Sequence, residues 1–245
     1  MMKIAIIGGT GLYDPNLFHE PGEELVSTPY GKVKVKYGDF GGKRVAFLSR
    51  HGEGANVPPH RVNYRGNIHA LKKLGIKNVI ATAAVGSLSK DFTPGTIILV
   101  DQFLDFTKGR ISTFHDGGSE GVRHTDMTEP YCSELRRVIE EEATSIGLTV
   151  RNGGCYVCTE GPRFETAAEV RMFRMLGGDV VGMTGVPEVV LAREAGLYYA
   201  SITMVANLAA GLDSPEVSHN EVVNVMADIY DDIKKLLENT VRALP

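Results

Sequence analysis

Residues 3–14 read "KIAIIGGTGLYD", a short apolar run that ends in a cluster of glycines. The run over residues 3–7 predicts a buried β-strand, and the glycines at positions 8, 9 and 11 allow a sharp turn or a close approach of the backbone. A turn of this kind holds a dinucleotide, holds a single anion, or only ends the strand. These three possibilities make different demands on the residues that follow.

The dinucleotide interpretation is disfavoured by the residues after the turn. A dinucleotide site needs Gly-x-Gly-x-x-Gly between a strand and a long helix, with an acidic residue about twenty positions later. Pro15 interrupts any helix growing out of the turn, and no second apolar strand ends on Glu23 or Glu24. A single anion fits better, bound by the backbone N–H groups of Gly9 and Thr10 and by the Thr10 hydroxyl. A turn that binds nothing stays open at this point.

Strand-like and helix-like segments alternate from this turn to the other end of the chain. The pattern predicts strands over residues 33–37, 44–49, 78–88, 96–106, 148–158, 179–183 and 197–207. It predicts helices over residues 61–75, 130–147 with Thr128 as N-cap, 165–178, 186–196 and 218–244. This alternation predicts an α/β fold, a single domain over residues 1–245 with a central mixed β-sheet flanked by helices.

Composition and charge argue against several classes of partner. The formal net charge is −4 and no basic run or stripe is present, which argues against nucleic acid binding. No apolar stretch reaches the roughly eighteen residues that a membrane-crossing helix needs. The first apolar run leads into the glycine turn, so it is a strand and not a signal peptide. The expected location is the cytoplasm.

The three cysteines do not indicate a metal or redox centre. Cys155 and Cys158 form a Cys-x-x-Cys pair, but a structural zinc site needs four ligands and no second pair is present. The residues around the pair alternate as in a strand, which places the two sulfurs on unsuitable faces for a thioredoxin-type motif. We expect buried or half-buried thiols and no metal site.

Six short segments directly follow predicted apolar strands. Ligands of α/β sheets bind at the carboxyl ends of the strands. In one compact sheet, these segments are therefore expected to line a single crevice. They are residues 8–10, 50–51, 83–86, 159–163, 183–184 and 207–211.

Two of these segments carry groups suited to phosphate. Arg50 offers a planar fork for phosphate oxygens, and His51 adds a second donor. Taken alone, an Arg-His pair is more often a solvated or salt-bridged surface pair. With the hydroxyl groups of Thr10 and Thr184, however, the pair makes a shell of donors for one inorganic phosphate.

A set of ordered motifs resembles the trimeric nucleoside phosphorylases, the family of purine nucleoside phosphorylase and methylthioadenosine phosphorylase. The motifs are "IGGTGL", "TPYGKV", "SRHG", "VPPHRVNYR", "AVGSL", "PGTIILVDQFLDFT", "TEGPRFET", "VGMTGVPEVVLAREAGLYYA" and "NLAAG". The resemblance runs from about Lys3 to the final helix. It implies a homotrimer that reversibly cleaves a purine ribosidic bond with inorganic phosphate as co-substrate and without a cofactor.

The resemblance also implies roles for individual residues of this chain. The implied phosphate contacts are Thr10, Arg50, His51, Ala83, Ala84 and Thr184. The implied nucleoside contacts are Met183 under the ribose, Glu165 and Asn207 at the purine with Leu208 and Ala209 beside them, and His219 at the 5′-hydroxyl. Asn207, Glu165 and His51 are the expected catalytic groups. The region "GVRHTDMTEP" matches the segment that reaches over a neighbouring subunit's ribose pocket, with His124 and Met127 as candidates.

Residues 207–211, which read Asn-Leu-Ala-Ala-Gly, decide the expected base. The methylthioadenosine branch usually has two aspartates in this segment, which suit a 6-amino group, and this chain has neither. The Asn207 amide can donate to O6 or N7, and Glu165 can accept from the N1–H that only 6-oxopurines carry. The expected reaction converts inosine or guanosine to the free purine and ribose 1-phosphate. Methylthioinosine and methylthioadenosine stay open as substrates, as does a purine-binding protein without activity.

Overall fold

The structure, a computed structural model, describes residues 2–9, 18–118, 121–212 and 219–245. Within these ranges eleven strands form one mixed sheet and six α-helices pack around it. The strands are β1 (Ile4–Gly8), β2 (His19–Thr28), β3 (Gly31–Phe40), β4 (Lys43–Ser49), β5 (Asn78–Ser87), β6 (Ile97–Leu99), β7 (Gln102–Phe106), β8 (Val150–Asn152), β9 (Cys155–Thr159), β10 (Val180–Gly182) and β11 (Tyr198–Leu208). The helices are α1 (Tyr64–Lys73), α2 (Ser133–Ser145), α3 (Ala167–Met175), α4 (Gly185–Glu194), α5 (His219–Asp228) and α6 (Tyr230–Ala243).

Alternate side chains of the first strand lie in two different apolar cores. Ala5 and Ile7 belong to one buried cluster, whereas Ile4 and Ile6 belong to another. Because successive side chains of a strand point to opposite faces, both faces of the sheet are covered. Helices α1 and α4 contribute to the first cluster, and α2, α5 and α6 to the second. The predicted α/β class with a central mixed sheet is confirmed.

Strand β5 is the point at which the sheet divides. β11 runs parallel to β5 along its whole length, from Asn78 to Ser87. The other edge of β5 is shared, because β1 pairs with residues 78–81 and β10 pairs antiparallel with residues 86–87. Among the described strands, none covers residues 82–85 on that edge. The sheet is therefore open beside the middle of β5.

Two predicted strands are wrong as single elements. Residues 96–106 form β6 and β7, and residues 148–158 contain β8 and β9. Both breaks occur at the same level, since the N–H of Asp101 donates to the Gly154 carbonyl and the N–H of Gly154 donates to the Asp101 carboxylate. Gly153 takes a positive φ of 108°, which a glycine adopts without strain. The two segments stay paired with each other across the break, as β6 with β8 and β7 with β9, while the outer neighbour changes from β11, beside β6, to β10, beside β9.

Other boundaries also differ from the prediction. Thr128 does not cap a helix; its hydroxyl and N–H both bond the Asp126 carboxylate, and α2 begins only at Ser133. The predicted final helix is divided at Ile229 into α5 and α6. Strand β2 was not predicted, because its exposed, Pro- and Gly-containing sequence carries no apolar alternation. Ser218, the predicted start of the last helix, lies outside the described residues.

Candidate active site

A cavity of about 420 Å³ is lined by β5 residues at the place where the sheet divides. Each of the six segments predicted to meet contributes at least one lining residue, which confirms the single crevice. The predicted site residues that line it are Arg50, His51, Ala83, Ala84, Glu165, Met183, Thr184, Asn207 and Ala209. The sequence did not single out the further lining residues Asn56, Val57, Pro58, Pro59, Phe164 and Val222.

Three predicted site residues stand apart from this set. Leu208 is not among the lining residues. It is the last residue of β11 and lies between Asn207 and Ala209, which do line the cavity, and its carbonyl oxygen accepts from Asn207. Thr10 lies outside the described residues. For His219 only the backbone is described, as the first residue of α5.

We call Gly9, Arg50, His51, Ala84 and Thr184 the arginine side of the cavity. We call Pro162, Phe164, Glu165 and Asn207 its glutamate side. The names refer only to these residues.

Arg50 is held rigidly on the arginine side by a buried carboxylate. Its side chain lies in the core at 2% exposure, beside Glu188 at 0%. The guanidinium donates from Nε to Glu188 Oε2 and from Nη2 to Oε1, both at 2.7 Å, and from Nη1 to the Thr82 carbonyl at 2.8 Å. Guanidinium has five N–H donors. Three are engaged by described residues, which leaves one on each Nη nitrogen.

Glu188 is a functional residue that the sequence analysis missed. It lies in α4, within an otherwise apolar stretch, and also accepts a hydrogen bond of 2.7 Å from the Tyr199 hydroxyl. Burial alone lowers the pKa of Arg50, but the charge and hydrogen bonds of Glu188 outweigh burial and the net pKa is raised. A carboxylate within an apolar run, residues 185–192, is the sequence signal that could have revealed the pair, because a buried charge needs a partner.

Gly9 has a different role from the one its turn predicts. Its N–H donates to the Thr82 hydroxyl at 3.3 Å, so this N–H is not free for an anion. A Cβ at position 9 would lie 2.8 Å from Arg50 Nη1 and 2.9 Å from the Thr82 carbonyl oxygen. The missing side chain leaves room for the arginine.

His51 presents a lone pair to the cavity in its neutral form. Its Nδ1 lies 2.8 Å from the Val57 carbonyl, and since a carbonyl only accepts, Nδ1 carries the proton. Burial lowers the pKa of the ring, and the positive charge of Arg50 adds to the effect. The neutral ring therefore leaves Nε2 as an acceptor, in place of the second donor expected from the sequence.

Thr184 lines the cavity directly before α4. Its N–H donates to the buried Tyr156 hydroxyl at 3.3 Å, whereas its own hydroxyl makes no cap bond to α4. The Tyr156 side chain packs against Gly182 and Gly185. A Cβ at Gly182 would collide with the Tyr156 hydroxyl oxygen, and one at Gly185 would lie 2.9 Å from a ring carbon. These two glycines let the chain pass closely over the ring and bring Thr184 to the cavity.

On the glutamate side, Glu165 is half-buried and forms no ion pair with a described residue. Its Oε1 accepts from the Thr159 hydroxyl at 2.7 Å. Burial raises the pKa of the Glu165 carboxyl, and the Thr159 bond lowers it in part. Phe164 beside it remains 39% exposed. The carboxylate therefore keeps acceptor capacity for a ligand.

An irregularity in β11 changes the direction of the Asn207 side chain. The register against β5 shifts between Val205 and Asn207, as in a β-bulge, and bulges redirect side chains next to functional sites. The amide Nδ2 donates to the Leu208 carbonyl at 2.9 Å, which leaves its second N–H free to donate.

The sequence also predicts that the chain has neither a metal site nor a membrane-crossing helix. Within residues 2–9, 18–118, 121–212 and 219–245 there is no group of three or more His, Cys, Asp or Glu side chains placed to hold a metal. Cys155 and Cys158 are free thiols, half-buried and buried, whose pKa values burial raises to about 11 and about 12. No described helix is long and apolar enough to cross a membrane.

Comparisons with known proteins place this chain in a family. The profile of the Phosphorylase superfamily matches residues 3–242. A "Probable 6-oxopurine nucleoside phosphorylase" of Moorella thermoacetica is 52% identical over 244 residues, covering 100% of this chain and 94% of the relative. An "S-methyl-5′-thioadenosine phosphorylase" of Thermofilum pendens is 46% identical over 246 residues, covering 100% of this chain and 93% of the relative.

The structure of methylthioadenosine phosphorylase from Schistosoma mansoni in complex with adenine superimposes with a TM-score of 0.92 at 36% identity. The match covers 98% of this chain and 91% of the other. Sequence profile, full-length relatives and fold therefore agree, and this chain belongs to the phosphorylase superfamily.

Proposed function

We propose that this chain catalyses the phosphorolysis of 6-oxopurine nucleosides, inosine or guanosine, to the free purine and ribose 1-phosphate. One observation carries the proposal. A single cavity contains a guanidinium with two N–H groups that no described residue uses, and a carboxylate–amide pair that suits a 6-oxopurine. The names of the relatives at 46–52% identity support the same class of reaction.

Inorganic phosphate is expected on the arginine side. Arg50 offers one N–H from each Nη nitrogen, and Thr184 offers its hydroxyl. Peptide groups of a strand point alternately to its two edges, so Ala84 presents its backbone N–H on the same open edge as the Thr82 carbonyl. Thr10 completes the proposed set of donors. Ala83 lines the same cavity, and the neutral His51 ring can only accept, from a protonated phosphate oxygen.

The purine is expected on the glutamate side. Ionised Glu165 accepts from N1–H, and the free N–H of Asn207 donates to O6 or N7. A 6-aminopurine lacks the N1–H and leaves one oxygen of the half-buried carboxylate without a donor, which costs about 1–3 kcal/mol. This mismatch is the proposed source of base preference.

The proposed reaction needs no side-chain nucleophile. The ribosidic bond lengthens toward an oxocarbenium-like ribose lying over Met183, and phosphate captures the anomeric carbon with inversion. The negative charge of phosphate stabilises the developing cation. Asn207, helped by Glu165, stabilises the departing purine by a hydrogen bond at N7. Inorganic phosphate is thus a co-substrate, and no cofactor is proposed.

A second substrate, 5′-methylthioinosine, is favoured by one observation. Val222 of α5 lines the cavity and is 9% exposed. An apolar side chain suits a thioether better than a hydroxyl. His219 lies three residues before Val222 in the same helix, and its proposed role at a 5′-hydroxyl favours ordinary nucleosides.

Initial rates with inosine, guanosine, adenosine, methylthioadenosine and methylthioinosine, each with and without phosphate, test the proposal. We expect phosphate-dependent cleavage of the 6-oxopurine nucleosides and little cleavage of adenosine. The ratio of inosine to methylthioinosine rates decides the 5′ group. Equal rates without phosphate would instead identify a nucleosidase, and binding without cleavage a purine-binding protein.

Assembly and location remain further proposals. By its resemblance the chain is proposed to act as a cytoplasmic homotrimer, with His124 or Met127 reaching a neighbouring subunit's ribose pocket. An active monomer in a light-scattering measurement would remove the trimer from the proposal.

A further inference from the structure

Arg110 is a buried arginine in a polar segment that the sequence presents as an ordinary loop. It follows β7 in the stretch "TKGRIST", where Ile111 is 53% exposed. The Arg110 side chain itself is only 3% exposed. A charged side chain is rarely buried to this extent without specific partners.

The partners of Arg110 are mostly backbone carbonyl groups. Nη1 donates to the carbonyls of Met183 at 2.7 Å and Val186 at 2.6 Å. Nη2 donates to the carbonyls of Glu160 at 2.7 Å and Thr159 at 3.2 Å.

Two further groups complete the surroundings of Arg110. Nη1 also donates to the Tyr64 hydroxyl at 3.1 Å, and the guanidinium lies over the Tyr64 ring at 5.4 Å. Nε lies 3.6 Å from the Glu160 carboxylate and makes no hydrogen bond to a described residue. The two Nη nitrogens thus carry all the directional bonds.

These carbonyls belong to two segments, each next to a different side of the cavity. Met183 and Val186 flank Thr184, which lies on the arginine side. Thr159 and Glu160 directly precede the segment that carries Pro162, Phe164 and Glu165, and the Thr159 hydroxyl bonds Glu165. One rigid, planar group therefore fixes the backbone of the proposed phosphate side relative to the backbone of the proposed purine side.

We propose that Arg110 is a positioning residue that sets the distance between bound phosphate and the anomeric carbon. The inference rests on the proposed function. Displacement of a reacting group by about 1 Å can lower a rate by about 100-fold. Each side keeps its own binding groups without Arg110, so loss of Arg110 lowers turnover more than it lowers the affinity for either ligand alone.

The test compares Arg110→Lys and Arg110→Met with the wild type. Lysine keeps the charge but has no planar fork and cannot bond both pairs of carbonyls. Arg44→Lys is the matched control. Arg44 also bonds a carbonyl, pairs with a carboxylate and lies over a tyrosine ring, but none of its partners lines the cavity. Kinetics are measured well below the unfolding midpoint of each variant and normalised to folded protein.

For Arg110→Lys we expect kcat to fall at least 30-fold, with the Kd for hypoxanthine and the Kd for phosphate, each measured alone, changing less than threefold. In Arg110→Lys, peptides containing residues 159–166 and peptides containing residues 183–187 are both expected to exchange amide hydrogens faster than in the wild type. Unchanged kcat in Arg110→Lys, or a loss confined to the KM of one substrate, overturns the proposal. If the wild type cleaves no nucleoside, the proposed function fails, and the exchange measurement still decides whether Arg110 links the two segments.

Discussion

The two sides of the cavity are built in different ways. On the arginine side, Arg50 is fixed by three hydrogen bonds in the core, and Gly9 leaves no spare space beside it. On the glutamate side, Glu165 has one hydroxyl partner and Phe164 is partly open to solvent. A preformed site can bind a small ligand of constant structure. A larger ligand needs polar groups that remain available to form hydrogen bonds with it.

The largest expected effect comes from removing the fixed guanidinium. Arg50→Met is expected to lower kcat/KM for phosphate about 1000-fold, because a preorganised donor pair is lost. It also leaves Glu188 buried without a countercharge, which destabilises the fold by about 3–5 kcal/mol. Steady-state kinetics and urea unfolding measure the two effects.

The double variant Arg50→Met/Glu188→Gln separates the two effects. It removes both charges and keeps an acceptor for the Tyr199 hydroxyl. We expect it to recover most of the lost stability and none of the activity. Recovery of activity would show that Arg50 serves only the fold.

On the glutamate side, Glu165→Gln is expected to lower kcat/KM for inosine about 10- to 100-fold, because the variant leaves polar groups of the purine poorly paired. The KM for phosphate should change less than about twofold, since the arginine side is untouched. Glu24→Gln, at an exposed position of β2, is the control. An equal rise in both KM values contradicts the division into two sides.

The variant Asn207→Ala tests the glutamate side at the proposed contact with the departing purine. We expect kcat for inosine to fall about 10- to 100-fold, the range for loss of one hydrogen bond of about 1.5–3 kcal/mol to developing charge. Rapid-quench measurement of a single turnover isolates the chemical step. Phosphorolysis at the wild-type rate would remove Asn207 from its proposed role.

A smaller effect is expected from Gly9→Ala. The added methyl group displaces Arg50 Nη1 or the Thr82 carbonyl, both within 3.0 Å of the new Cβ. We expect the KM for phosphate to rise about tenfold, equivalent to ~1.4 kcal/mol, with little change in hypoxanthine affinity. Gly109→Ala is the control, because a Cβ there meets nothing within 4 Å.

The smallest effect is a shift in pH dependence. Burial raises the pKa of Glu165 above that of an ordinary glutamate, and the carboxylate must be ionised to accept from N1–H. Hypoxanthine affinity should therefore fall as the pH drops through this raised pKa. Thr159→Val removes the bond that lowers the pKa, so the loss should begin at a higher pH in titration calorimetry. A shift in the opposite direction contradicts the assignment.

Much of the fold and the location of the site follow from the sequence. The glycine turn, the alternation of segments and the six strand ends predict one crevice, because carboxyl ends of parallel strands meet at one edge. The breaks in β6–β7 and β8–β9 do not follow, since they depend on pairing between distant segments. The bulge before Asn207 cannot be predicted either, because the sequence "VANL" at residues 205–208 resembles any other strand end.

The sequence indicates the residues that line the cavity more clearly than it indicates those that hold them in place. Glu188 carries a signal, a carboxylate within an apolar run of α4, but its partner Arg50 is 138 positions away in sequence. Arg110 carries none, because its partners are mainly carbonyl groups that every residue possesses. Sequence patterns indicate the chemistry of side chains, but they do not predict which side chains bond the peptide backbone.

The carboxylate behind Arg50 also affects how the cavity responds to ionic strength. The two opposite charges lie 2.7 Å apart and largely cancel beyond a few ångströms. Recognition there depends on the direction of N–H bonds and not on a long-range field that mobile ions screen. Moderate chloride should compete weakly, whereas a tetrahedral oxyanion such as arsenate should take the place of phosphate.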